Sequence, residues 1–153
     1  MCVALHTAGW VHADIHPGNV LMGDPATLLD YACAIRATYS ASWHGEINWG
    51  VWDYAPPEQL ADFGELTPAA DVYAAATLCV AMIRGAAPFK IPVKHHFGLG
   101  GWVAVRTAFA EARRMLDLAD LSEGLRTALL PALSPEPAAR PTARQLAEAL
   151  SHV

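Results

Sequence analysis

The 153-residue chain is 54% hydrophobic and 16% charged, a balance that suits one domain with a real core and excludes a disordered polymer. Its formal net charge of −5, with no basic run longer than Arg113-Arg114, offers no field for a nucleic-acid partner. Three cysteines, an odd number without metal-ligand spacing, read as reduced thiols of a cytoplasmic protein.

In chain order, residues 1–8 read as the tail of a helix stopped by Gly9. Residues 20–22 and 27–29 are short apolar runs around the turn signal "GDPA", which predicts a small hairpin. Residues 34–52 mix Ser, Gly, Trp and His without period and are expected to be irregular, with Trp43, Trp49 and Trp52 packed in the core or loops. "APPEQLADF" opens a short helix, its prolines tolerated at the first turn. Thr67 is a good N-cap and Pro68 a good first residue for a long apolar helix over residues 69–84, stopped by Gly85. This most apolar run contains Asp71 and is shorter than the ~20 residues of a membrane span, so it reads as a buried helix and no membrane partner is expected. Three further helices are predicted over residues 102–116, 122–133 and 142–150, the last capped by Thr142 after Pro141. The sum is mainly α with one small β-hairpin.

The chemistry concentrates in "HADIHPGN", where Asp14 stands five positions before Asn19 and the chain then enters an apolar strand. Taken singly, Asp14 fits an Asx turn and Asn19 a turn cap. Asp71 heads a helix, where a carboxylate is favourable, and His12 reads as a packed, hydrogen-bonded scaffold residue. The adjacent His95 and His96 face different directions on any regular element and make no metal site.

Taken together, these pieces resemble the C-terminal lobe of a protein kinase. "HADIHPGN" is similar to the catalytic loop His-Arg-Asp-Leu-Lys-x-x-Asn at His12, Asp14 and Asn19. "LLDYA" is similar to the Asp-Phe-Gly segment and places Asp30 sixteen residues after Asp14. "GVWDYAPPE" resembles the end of the activation segment through Gly50, Tyr54, Pro57 and Glu58, and "DVYAAATLCVAM" resembles the central helix headed by Asp71. "EPAARPTARQL" resembles the closing Asp-Pro-x-x-Arg-Pro-Thr stretch, with Arg140 as its arginine. The five motifs stand in family order over essentially the whole chain.

The resemblance implies ATP-dependent phosphoryl transfer to protein Ser/Thr hydroxyls, in which positioning and charge stabilisation do most of the catalysis. Asp14 is then the residue that orients the acceptor hydroxyl and accepts its proton. Asn19 and Asp30 become magnesium ligands, Leu21 lies under the adenine, and Glu58 and Arg140 form a buried ion pair. Four positions depart from the family pattern: Ala13 for arginine, His16 for lysine, Ala32 for glycine and Val51 for threonine. Alanine at position 13 cannot pair with a phosphorylated activation segment, and valine at position 51 offers no hydroxyl to meet His16. The same loop also resembles that of small-molecule phosphotransferases of the aminoglycoside and choline type, which share neither "APPE", the Asp71 helix nor "RPT".

A whole kinase also has an N-terminal lobe with a glycine-rich loop and a strand lysine paired to a helix glutamate. None of that fits before Met1, and "GLGGWVAVR" (98–106) runs its glycines straight into the would-be strand without room for a phosphate cradle. The expectation is a single domain over residues 1–153. It is a C-lobe fragment inactive on its own, marginally stable and self-associating through the surface the missing lobe would cover. The alternatives are a non-catalytic pseudokinase remnant that binds partners through its helix-rich face, or a fragment of a small-molecule phosphotransferase.

Overall fold

The computed structural model describes residues 2–37, 53–60, 66–89 and 116–153, together with Thr107 and Glu111. Among these, four α-helices, three short 3-10 turns and two two-stranded antiparallel sheets are seen.

The first helix, α1 (Cys2–Thr7), ends at Gly9, whose φ of 79° suits a residue without a Cβ. Two two-residue strands follow, β1 (Trp10–Val11) and β2 (Val20–Leu21), separated by the Pro17–Asn19 turn. β2 pairs with β3 (Thr27–Leu28), Val20 opposite Leu28 and Leu21 opposite Thr27, which is the hairpin expected around "GDPA". A second ladder was not expected: β4 (Ile35–Arg36) pairs with β1, Trp10 opposite Arg36 and Val11 opposite Ile35. Residues 35–36 are therefore not irregular, and the described residues hold two small sheets rather than one hairpin. A two-residue strand is too short to display a period, and its partner lies far away in sequence, so hydropathy carried no signal for it. The guanidinium of Arg36 lies 5.2 Å from the Trp10 ring centroid and the Ala37 N–H donates to the Gly9 carbonyl at 2.9 Å, both closing the same ladder.

"APPEQL" gives a 3-10 turn, Pro57–Leu60, rather than an α-helix; the two prolines leave its first amides without hydrogens to donate, and Gln59 N–H bonds the Pro56 carbonyl at 3.1 Å. The long helix α2 (Pro68–Arg84) forms as predicted, with Thr67 Oγ1 accepting from the Ala69 N–H and Gly85 in the left-handed conformation at φ 70°. Its apolar residues point in every direction because three separate core clusters meet it. Val72, Tyr73, Ala76 and Val80 join the C-terminal cluster, Ala74, Leu78 and Ala81 the cluster under α1 and the hairpin, and Ala70 the cluster of Val11 and Ile35. A helix apolar on most faces is one buried on most faces, and here only the last turn opens, with Met82 and Ile83 about half exposed.

The predicted helix over 102–116 falls almost wholly outside the described residues, as do Trp43, Trp49, Trp52, His95, His96 and the 98–106 stretch. Thr107 and Glu111 are helical, whereas Leu116 is not. The chain then forms α3 (Glu123–Ala132), with Ser122 Oγ accepting from the Leu125 N–H at 3.3 Å, and α4 (Ala143–Leu150). Thr142 and Gln145 form a reciprocal capping box at the start of α4. Thr142→Ala is expected to lower stability by about 1 kcal/mol, read as a lower denaturant midpoint at unchanged slope.

Among the described residues no helix is long and apolar enough to cross a membrane, and Cys2, Cys33 and Cys79 are free thiols. Burial pushes the Cys2 thiol up to about 12, so it is a packed core group rather than a nucleophile.

Candidate active site

The site is built on one buried carboxylate. Asp71, in the first turn of α2 and 1% exposed, accepts from the His12 N–H (2.8 Å, Oδ2) and the Ala13 N–H (2.9 Å, Oδ1). Oδ2 also accepts from His6 Nε2 of α1 at 2.8 Å. The sequence assigned Asp71 to its own helix N-terminus. In the structure its oxygens instead hold two consecutive amides of another segment, which no helix-local reading contains. The hold stabilises a strained backbone: Ala13 has φ 64°, a setting that costs a residue with a Cβ about 1–2 kcal/mol.

His12 is fully buried with both ring nitrogens committed. Nδ1 accepts from the Asp14 N–H at 3.3 Å and Nε2 donates to the Leu29 carbonyl at 3.0 Å. It is thus a scaffold group in one tautomer, not a proton carrier. Tyr31 packs its ring on His12 at 5.1 Å between centroids.

Asp14 and Asn19 meet directly. The Asn19 side-chain amide donates to Asp14 Oδ2 at 2.9 Å and to the Asp14 carbonyl at 3.0 Å. With both hydrogens committed, Asn19 Oδ1 is the polar atom of that amide left for something else. Leu29 ties the next segment to this pair: its N–H donates to the Asn19 carbonyl at 2.8 Å while its own carbonyl takes the His12 bond. The next residue is Asp30, at φ 52° in an Asx turn closed by the Ala32 N–H on Oδ1 at 3.1 Å. Aspartate tolerates that conformation better than most residues with a Cβ. The Cys33 thiol is pushed up by burial and by the carboxylates of Asp14 and Asp30, so both acids act on one side chain. Leu21, opposite Thr27 in the hairpin, is 58% exposed.

His16 stands where the resemblance places a lysine. Its Nδ1 accepts from the Gly18 N–H at 3.1 Å, which puts the ring proton on Nε2, 3.6 Å from Asp14 Oδ2. A Cβ at Gly18 would lie 2.8 Å from His16 Cε1, so glycine is what lets the imidazole fold over the turn.

Glu58 and Arg140 are joined across the lobe. The Arg140 side chain is fully buried; Nη1 and Nη2 donate to the two Glu58 oxygens at 2.6 and 2.8 Å. The remaining donors reach the Ala69, Pro135 and Ser134 carbonyls, and the guanidinium lies 4.9 Å from the Tyr73 ring centroid. All five N–H bonds are used.

Three contributors went unseen in the sequence: His6, the Leu29 peptide and Gln59, whose side-chain amide donates to the Ala13 carbonyl at 2.7 Å. The Leu29 and Gln59 contacts are made to backbone atoms, which sequence pattern does not encode.

A helical scaffold around one central apolar helix, a hairpin, and an acid–amide loop pinned on a buried aspartate make up a mostly helical, kinase-like domain. The sequence profile described as "Protein kinase domain" matches residues 3–151, and the chain belongs to the protein kinase family. It is similar to "Serine/threonine-protein kinase AfsK" of Streptomyces griseus, 30% identical over 124 residues, which are 80% of this chain and 14% of that protein. It is also similar to "Serine/threonine-protein kinase PknL" of Mycobacterium tuberculosis, 36% identical over 89 residues (56% of this chain, 22% of that protein). "Serine/threonine-protein kinase F" of Synechocystis sp. is 33% identical over 85 residues, 53% of this chain and 17% of that protein. The chain thus spans between 14% and 22% of the length of these relatives.

Proposed function

We propose that the chain carries the catalytic and metal-holding residues of a cytoplasmic, ATP- and magnesium-dependent kinase acting on protein Ser/Thr hydroxyls. The observation that carries this reading is the fixed Asn19 amide, both hydrogens on Asp14, with the Asn19 carbonyl bonded to Leu29, the residue before a second aspartate. The donor set fits magnesium, which takes one or two protein oxygens and completes its shell with phosphates and water. Asn19 Oδ1 and Asp30 Oδ2 make no hydrogen bond among the described residues and are the two ligands. When bound with ATP, the ion neutralises charge on the phosphates.

The chain's own groups then divide the work. Asn19 holds Asp14 Oδ2, which leaves Oδ1 to orient the acceptor hydroxyl and take its proton. The Nε2–H of His16 faces the same carboxylate at 3.6 Å. The Glu58–Arg140 link supports the protein-kinase form of the site over that of small-molecule phosphotransferases, as do the relatives' names.

Leu21, Met22 and Tyr31, each more than half exposed, offer an apolar floor for the adenine. The polypeptide on its own is expected to be inactive and to bind magnesium–ATP no tighter than ~1 mM. The same apolar side chains are the face through which copies of the chain associate.

A titration with Mn2+–ATP, followed by NMR line broadening, tests the site. Broadening at the Asn19 and Asp30 amides is expected to rise through the millimolar range, with a slope reduced about tenfold in Asp30→Asn. Broadening confined to other residues, or none at all, would leave a non-catalytic binding module as the better reading.

A further inference from the structure

Ala13 is one of the residues on which this site departs from its family resemblance: no arginine is present there to tie the catalytic loop to the activation segment. The structure nevertheless contains such a tie. Ala13 stands at φ 64°, and the peptide groups on both sides of it are held by side chains from distant parts of the chain. On the N–H side, Asp71 Oδ1 accepts at 2.9 Å. On the carbonyl side, Gln59 Nε2 donates at 2.7 Å, across 46 positions of sequence. The carbonyl of residue 13 belongs to the same peptide as the N–H of Asp14, so whatever fixes one fixes the start of the other.

Gln59 is itself well founded. It lies in the Pro57–Leu60 turn directly after Glu58, whose carboxylate takes two bonds from the buried Arg140. Neighbouring residues of one turn thus face opposite ways, Glu58 into the helical body and Gln59 onto the catalytic loop. Arg140 secures the turn, the turn presents Gln59, and Gln59 bonds the peptide before Asp14.

We infer that Gln59 is a positioning residue for Asp14: its amide on the Ala13 carbonyl couples the end of the activation segment to the acid–amide pair, by a link that needs no phosphorylated residue. The inference rests on the phosphotransfer reading for its purpose, but not for its geometry.

The test uses the 153-residue chain and four forms of it: wild type, Gln59→Leu, Ala13→Gly and the double variant. Leucine keeps the bulk of glutamine and removes the donor. Three readouts are taken: the Asn19 side-chain amide signal without nucleotide, hydrogen exchange at the Asp14 amide, and the slope of Mn2+–ATP broadening at Asn19. In Gln59→Leu the Asn19 signal is expected to shift, Asp14 exchange to accelerate, and the broadening slope to fall about tenfold, as for other residues that orient metal ligands. Thermal melting reports whether the variant is folded, and Gln59→Glu, which also lacks the donor, serves if leucine unfolds the chain.

Glycine adopts the left-handed conformation at no steric cost. If Gln59 acts by holding Ala13 there, its loss matters less in the Ala13→Gly background, and the two changes are non-additive. An unchanged Asn19 signal and Asp14 exchange in folded Gln59→Leu overturns the inference, and so does an equal effect in both backgrounds. If Mn2+–ATP broadens nothing in wild type, the phosphotransfer reading fails instead, while the Asn19 and Asp14 readouts still decide the role of Gln59.

Discussion

Arg140→Ala is expected to destabilise the domain by about 3–5 kcal/mol, the range for removing one partner of a buried ion pair. That is a large share of the ~5–15 kcal/mol that holds a typical domain together, so the variant should be partly unfolded at physiological temperature. The size follows from what the change leaves behind. Glu58, only 10% exposed in its side chain, keeps a carboxylate with no cation, and the Ala69, Ser134 and Pro135 carbonyls lose their donor. Arg140→Lys should recover little of this, because an ammonium cannot supply a planar fork and three further bonds. Removing both charges, as in Glu58→Leu with Arg140→Met, is expected to cost less than Arg140→Ala alone. Chemical denaturation of the three variants measures this, and a loss under about 1 kcal/mol for Arg140→Ala would sink the account.

The second large effect is at Asp71. Asp71→Asn preserves shape but has one acceptor where three donors now converge, from His12, Ala13 and His6. The amide must also aim a hydrogen at one of those donors. A cost of about 3 kcal/mol is expected, since bonds to a charged acceptor are the stronger kind and buried donors would be left without partners. The loss should be local before it is global. Hydrogen exchange at the His12 and Ala13 amides should accelerate roughly 100-fold, the equivalent of two decades at ~1.4 kcal/mol each, while amides in the middle of α3 slow-exchange as before. Equal acceleration throughout the chain would show Asp71 to be an ordinary core residue.

Much of the fold was legible because its strongest elements carry their own punctuation. Thr67-Pro68 and Gly85 bracket α2, Ser122 opens α3, and Thr142 with Gln145 opens α4; each cap bonds its own helix, so a short window of sequence contains both partners. The hairpin was visible for the same local reason. The β1–β4 ladder was not, because its two residues per strand meet across a long gap. The site divides along the same line. Asp14 with Asn19, and Glu58 with Arg140, stood out through motif order. His6, the Leu29 peptide and Gln59 did not, because they act on a distant carboxylate or on main-chain atoms. Asp71 was recognised as structural but for a different reason, its own helix rather than the loop it holds.

The ladder that escaped the sequence has a consequence for how this family tolerates change. By joining residues 10–11 to residues 35–36, it fastens the neck of a ring that contains Asp14, Asn19 and Asp30. The Asn19 amide and the Asp14 carboxylate it bonds lie inside that ring, as does Asp30. Chain added or deleted beyond residue 37 is therefore spliced outside the ring, where lengthening a connection carries a small entropic penalty. Insertions there leave the mutual spacing of Asp14, Asn19 and Asp30 set by the ring itself.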